Sequence, residues 1–196
     1  MTQENILSQQ TSPASAFAVG DEVSYGLHGK CVITGIETKD VGGASVSFYQ
    51  VRAIRNPITA KSTVIGKGEA AILVPVTSAT VSGLRRMMTK DEAEAALRLI
   101  SEPDYHFELK NPWLTKQKLL EDVIRKEGGI GLAKVIGHLH VVMSRDVVPP
   151  SPVMKLYESC TRIFLRELAD AMGGLTTKEV EPLLARALKT KLLADN

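Results

Sequence analysis

The chain has no apolar run approaching the roughly 20 residues that a membrane-spanning helix needs. Its start, MTQENILSQQTSPASA, has neither a basic opening nor a long apolar core, so no secretory leader is expected. The Gln, Ser, Thr and Pro content of residues 1–16 reads instead as a disordered tail. Cysteine is scarce: Cys31 and Cys160 lie far apart and form no C-x-x-C. That argues against a disulfide framework or a zinc site, and for two buried thiols in a reducing cytoplasm. Missing too are G-x-S-x-G, a phosphate-binding glycine loop, H-E-x-x-H and a dinucleotide fingerprint, and the chain reads as a binding protein rather than an enzyme. His138 and His140 stand two apart on an expected helix and point in different directions, so no metal site and no cofactor is expected. Excess charge of either sign is also in short supply. The net charge is +2, the first 84 residues are balanced, and the small excess in the remainder cannot coat a nucleic acid. Any DNA contact must be a local, salt-sensitive patch.

Residues 17–36, FAVGDEVSYGLHGKCVITGI, carry the strongest local signal. Val23 and Tyr25 alternate with Glu22 and Ser24, the period of a half-buried strand, and Gly20-Asp21 and His28-Gly29 supply turns on either side. Five strands are expected at about 22–26, 30–37, 46–54, 70–75 and 78–81, with a hairpin turn at Val41-Gly42-Gly43-Ala44. A long loop after Ile54 holds Arg55, Lys61 and Lys67 and reads either as a solvated connection or as a basic finger. From Arg85 the period becomes helical. Thr89 and Glu92 form a capping box. Asn111-Pro112 opens a second helix that should stop at Gly128-Gly129. A third carries Leu132, Val135, Ile136 and Leu139; Ser151-Pro152 opens a fourth, with Leu156, Cys160, Ile163, Phe164 and Leu168 inward; Thr176 and Glu179 open a fifth.

Trp113 is the only tryptophan, and it stands at a polar helix start with Lys110, Lys116 and Lys118 nearby. Two readings stay open: a half-buried anchor between helices, or an apolar wedge beside lysines that hold phosphates, as minor-groove proteins use.

The run Val19-Gly20-Asp21, Val23, Tyr25, His28-Gly29, Val32, Gly35-Ile36-Glu37 resembles the opening of the CarD/CdnL family of bacterial RNA polymerase-binding regulators. The likeness continues through Phe48-Tyr49-Gln50-Val51, Ile72-Leu73-Val74-Pro75 and Asn111-Pro112-Trp113, in that order, and spans Phe17 to about Leu193. It implies an α+β two-domain chain: a small Tudor/SH3-like β-barrel over 17–84 and an all-α five-helix domain over 85–196. The barrel would bind the RNA polymerase β subunit, with Lys39 and the strand Ile72, Leu73, Val74, Pro75 as contact residues. The helical part would contact promoter DNA near the upstream edge of the bubble, with Trp113 as wedge and Lys116, Lys118, Lys155 and Arg162 as the basic patch. Thr115 and Gln117 stand where the family often has Arg or Tyr, so the patch is expected to be thinner, or rebuilt from Arg125, Lys126 and Lys134. The resulting expectation is a cytoplasmic, monomeric regulator that stabilises the promoter open complex, with no membrane partner. The alternative is an adaptor that docks on RNA polymerase without touching DNA.

Overall fold

The computed structural model describes residues 16–54, 71–102, 107, 112–145 and 148–194. The expected tail (all but Ala16), the basic loop with Arg55, Lys61 and Lys67, and Lys110 and Asn111 lie outside the described residues. Five strands form one antiparallel sheet: β1 (Glu22–Tyr25), β2 (Gly29–Val41), β3 (Ala44–Ala53), β4 (Ile72–Pro75) and β5 (Leu84–Arg86), in the order β4-β3-β2-β1-β5. The long β2–β3 hairpin turns at Gly42 and Gly43, whose φ of 62° and 83° suit a tight hairpin turn and strain any other residue. Asp40 accepts the Gly43 N–H at 2.9 Å.

The expected barrel is not there. β4 and β5 are the two edges of an open sheet, and among the described residues no pairing joins them. Both are short, and β5 reaches only Val23–Tyr25 of β1. The fifth strand also forms later than the expected 78–81: Val76–Ser78 make a single 3-10 turn, and the chain turns through Gly83 before pairing begins at Leu84. One face of the sheet holds Val23, Cys31, Ile33, Tyr49, Val51, Val74 and Leu84, all buried, with Phe17 edge-on to Tyr49.

Four helices follow among the described residues, not five: α1 (Lys90–Ser101), α2 (Trp113–Arg145), α3 (Ser151–Ala171) and α4 (Thr177–Ala194). The capping box at Thr89 is complete: Thr89 Oγ1 accepts the Glu92 N–H at 3.3 Å and Glu92 accepts the Thr89 N–H at 2.8 Å. The two segments expected to be separate helices join into α2, which kinks at Gly128 (φ 61°, ψ −124°). The bend is sharp. Residues eight apart on a straight helix are separated by roughly 12 Å along the axis, yet a Cβ on Gly131 would meet the Val123 carbonyl oxygen at 2.5 Å. Helical geometry is interrupted at Gly128, and the glycines let the two helical arms on either side of it press together.

The sheet is fastened to the helices through α3. Glu167, 1% exposed, accepts hydrogen bonds from Ser24 Oγ at 2.8 Å and from both terminal nitrogens of Arg85 at 2.8 and 2.7 Å. Lys30 bridges Glu22 and Asp170, at 2.8 and 3.0 Å, and Arg166 donates to the Ile54 carbonyl. Alternation puts Ser24 on the solvent face of β1, but α3 covers that face, and Ser24 is buried. The centre of β1, Val23 and Ser24, is thus buried on both sides, which alternation alone does not reveal.

Candidate functional site

The Pro112 carbonyl starts α2 by accepting the amide N–H groups of Thr115 and Lys116 at 3.0 and 3.1 Å. Pro112 itself is exposed, as is Leu114 at 68%. Trp113 is half-buried, its ring packed against the helical core, and its Nε1–H is buried with no hydrogen-bond partner among the described residues. The sequence singled out the indole, but the most exposed apolar side chain at this helix tip is Leu114. Only its polar-boundary position next to Trp113 could have signalled that.

Trp113, Lys116 and Leu120 follow one another at i, i+3 and i+7 and so share a helix face. That face forms one wall of a cavity of about 320 Å³. His138, Leu139 and Val142 of the second α2 arm form another wall, and Pro150 and Val153 at the start of α3 close it. Phe107 stands edge-on to the His138 ring at 5.1 Å. By folding α2 back on itself, the kink brings His138 to Trp113.

The basic residues divide into separate groups. Lys116 lines the cavity; Lys118, five residues from Trp113, lies roughly 140° round the helix and is exposed. Lys155 and Arg162 are exposed on α3, seven residues apart and so on one face, roughly opposite the face that carries Val153 into the cavity. None of Lys116, Lys118, Lys155 and Arg162 makes an ion pair among the described residues. Arg125 and Lys134, the candidates for a rebuilt patch, are paired with Asp122 and Glu127, while Lys126 is exposed.

On the sheet, β4 is an edge strand in which Val74 is buried, Leu73 is 37% exposed, and Ile72 and Pro75 are intermediate. Pro75 stands opposite Phe48 and Phe48 opposite Glu37, so Lys39 lies two residues beyond that row on the exposed hairpin end. Lys39 is paired with Glu37 at 2.8 Å. Lys39 and then Gln50, both bonded to the Glu37 carboxylate, hold that carboxyl below the usual carboxylate range.

Sequence reasoning missed the Ser24–Arg85–Glu167 cluster. Its signal was present: Glu167 falls in the series Cys160, Ile163, Phe164, Leu168, on the stripe that packs inward.

Both cysteines are buried, and burial pushes Cys31 up to about 11 and Cys160 up to about 12. Arg166 opposes the shift at Cys31 and Glu121 adds to it at Cys160. Alkylation of the native chain at pH 8 should therefore run on the order of 100-fold slower at Cys31 and on the order of 1000-fold slower at Cys160 than after denaturation, since only the thiolate reacts. Equal rates by mass spectrometry would show that the thiols are reachable.

Among the described residues no group of three or more His, Cys, Asp or Glu is placed to hold a metal ion, and no helix is long and apolar enough to cross a membrane. No family model matches the chain, and no curated protein matches it.

Proposed function

We propose that this chain is a cytoplasmic transcription regulator that docks on the RNA polymerase β subunit through the β4 edge and Lys39, and contacts promoter DNA at the upstream edge of the melted region through the start of α2. The observation that carries this reading is the composition of that helix start. Exposed Leu114 and part of the Trp113 ring stand at the positive end of a long helix, next to Lys116 and Lys118, which have no acidic partner among the described residues. An apolar tip can occupy an unstacked base step while the lysines meet phosphate. An edge strand such as β4 can accept a partner's backbone, and exposed Leu73 would supply an apolar contact beside it.

A small basic patch binds DNA weakly on its own. Tethering to polymerase raises the local concentration of that patch, and Glu167 of α3 fastens the sheet to the helices. Opening a duplex loses about 1.4 kcal/mol of stacking per step, so replacing one step's worth shifts promoter opening about tenfold. The reading assigns the chain no catalytic chemistry.

Trp113→Ala and Leu114→Ala are each expected to shorten open-complex lifetime by up to about tenfold while polymerase binding is unchanged. An unchanged lifetime with both residues replaced, at saturating bound protein, rejects the DNA contact. The half-burial of Trp113 favours a second reading, the adaptor that docks on polymerase without touching DNA. Footprinting of a promoter–polymerase complex separates the two: added protection upstream of the bubble supports DNA contact, and its absence supports the adaptor.

A further inference from the structure

We propose that the cavity behind Trp113 binds a small carboxylic acid with a medium-length hydrocarbon body. This does not rest on the DNA reading. The cavity, about 320 Å³, lies in the size range of small-molecule sites. Its wall is mostly apolar: Trp113, Leu120, Val142 and Val153 offer hydrocarbon and aromatic surface to a ligand body. The polar groups on the wall are Lys116 and His138, and none of the described lining residues is acidic.

Lys116 decides the ligand's charge. Its ammonium makes no ion pair or hydrogen bond among the described residues, although its side chain is half-buried. The next acid along this stretch of α2, Glu121, is occupied with Gln117 at 2.8 Å. A lysine stem lying along an apolar wall with an uncompensated head is complementary to an anion whose remainder is apolar. The starts of α2 and α3, which contribute Trp113 and Val153, add partial positive charge at the same mouth. A neutral hydrocarbon would leave the ammonium without a counter-charge, and a small inorganic anion would leave the apolar wall wet.

Trp113 is the sole tryptophan and is part of the wall, so its emission reports the cavity directly. The full chain titrated with sodium octanoate, well below the micelle-forming range, should show a saturable change in tryptophan emission. The uncharged 1-octanol should bind at least about tenfold more weakly, the worth of one charge-assisted hydrogen bond. Lys116→Gln should weaken octanoate to the level of octanol, Lys116→Arg should retain most of the affinity, and Val153→Phe should block both ligands by filling the space. Far-UV circular dichroism checks that each variant is folded, and the comparison of octanoate with octanol on the unaltered chain needs no variant at all. A linear, non-saturating response to octanoate overturns the proposal. So does equal affinity for the acid and the alcohol, or octanoate binding unaffected by Lys116→Gln.

Discussion

Replacing Glu167 with alanine is expected to cost about 3–5 kcal/mol of folding stability, the range for breaking a buried ion pair by removing one partner. The carboxylate is 1% exposed and receives three hydrogen bonds, one from Ser24 and two from Arg85. Its loss leaves a buried hydroxyl on β1 without its acceptor and a guanidinium on β5 that is only 22% exposed without its counter-charge. Both penalties fall on the same joint, where the sheet meets α3. Arg85→Ala should be at least as damaging, because it strands the carboxylate, which is the more deeply buried partner. The combined Arg85→Met, Glu167→Leu variant should recover most of the loss, since an apolar pair of similar volume removes the uncompensated charge. Urea unfolding of the four proteins measures all of this. A midpoint for Glu167→Ala corresponding to less than about 1 kcal/mol would mean that water reaches the joint and solvates Arg85.

The features set by residues close in sequence were legible. The Gly42-Gly43 hairpin, the Thr89–Glu92 capping box and the apolar stripe of α3 lie where the pattern puts them, because a turn, a cap and a helix face each depend on a few adjacent side chains. What depends on distant partners was not. Alternation in β1 and β2 is the same in an open sheet as in a closed barrel, so period two could not say whether β4 would meet β5. Ser24 looks outward by alternation until α3, far along the chain, covers it. Gly128-Gly129 correctly marked a break in helical geometry, but a break does not distinguish the end of a helix from a kink within one. At the candidate site the sequence identified Trp113 and Lys116, which share a helix face, but not His138, which reaches them only because the chain folds back. Lys155 and Arg162, which the sequence grouped with Trp113, are exposed on α3, roughly opposite the face that carries Val153 into the cavity.

The same joint makes Gly128 intolerant of a side chain. Its φ of 61° and ψ of −124° are costly for any residue with a Cβ, roughly 1–3 kcal/mol. Space is a second and separate obstacle: a Cβ there would lie 2.5 Å from Arg85 Cδ and 2.6 Å from Arg85 Nε. A free arginine would swing aside, but this one is held by two hydrogen bonds to Glu167. Gly128→Ala must therefore strain the kink and also displace Arg85 from its carboxylate, so its expected cost approaches the sum of the strain and the broken pair, about 4 kcal/mol or more. Gly42→Ala is the control. It has a similar φ of 62°, yet a Cβ on it would meet nothing within 4 Å, so only the backbone strain should appear. The contribution of Arg85 is isolated by comparing, in urea unfolding, the cost of Gly128→Ala in the unaltered chain with its cost in the Arg85→Met, Glu167→Leu background, where the backbone strain is the same. In that background the cost should shrink, because the methionine is free to move and no ion pair is left to break. If Gly128→Ala costs no more than Gly42→Ala, then Arg85 relaxes without losing Glu167, and the kink, the strand and α3 are not one mechanical unit.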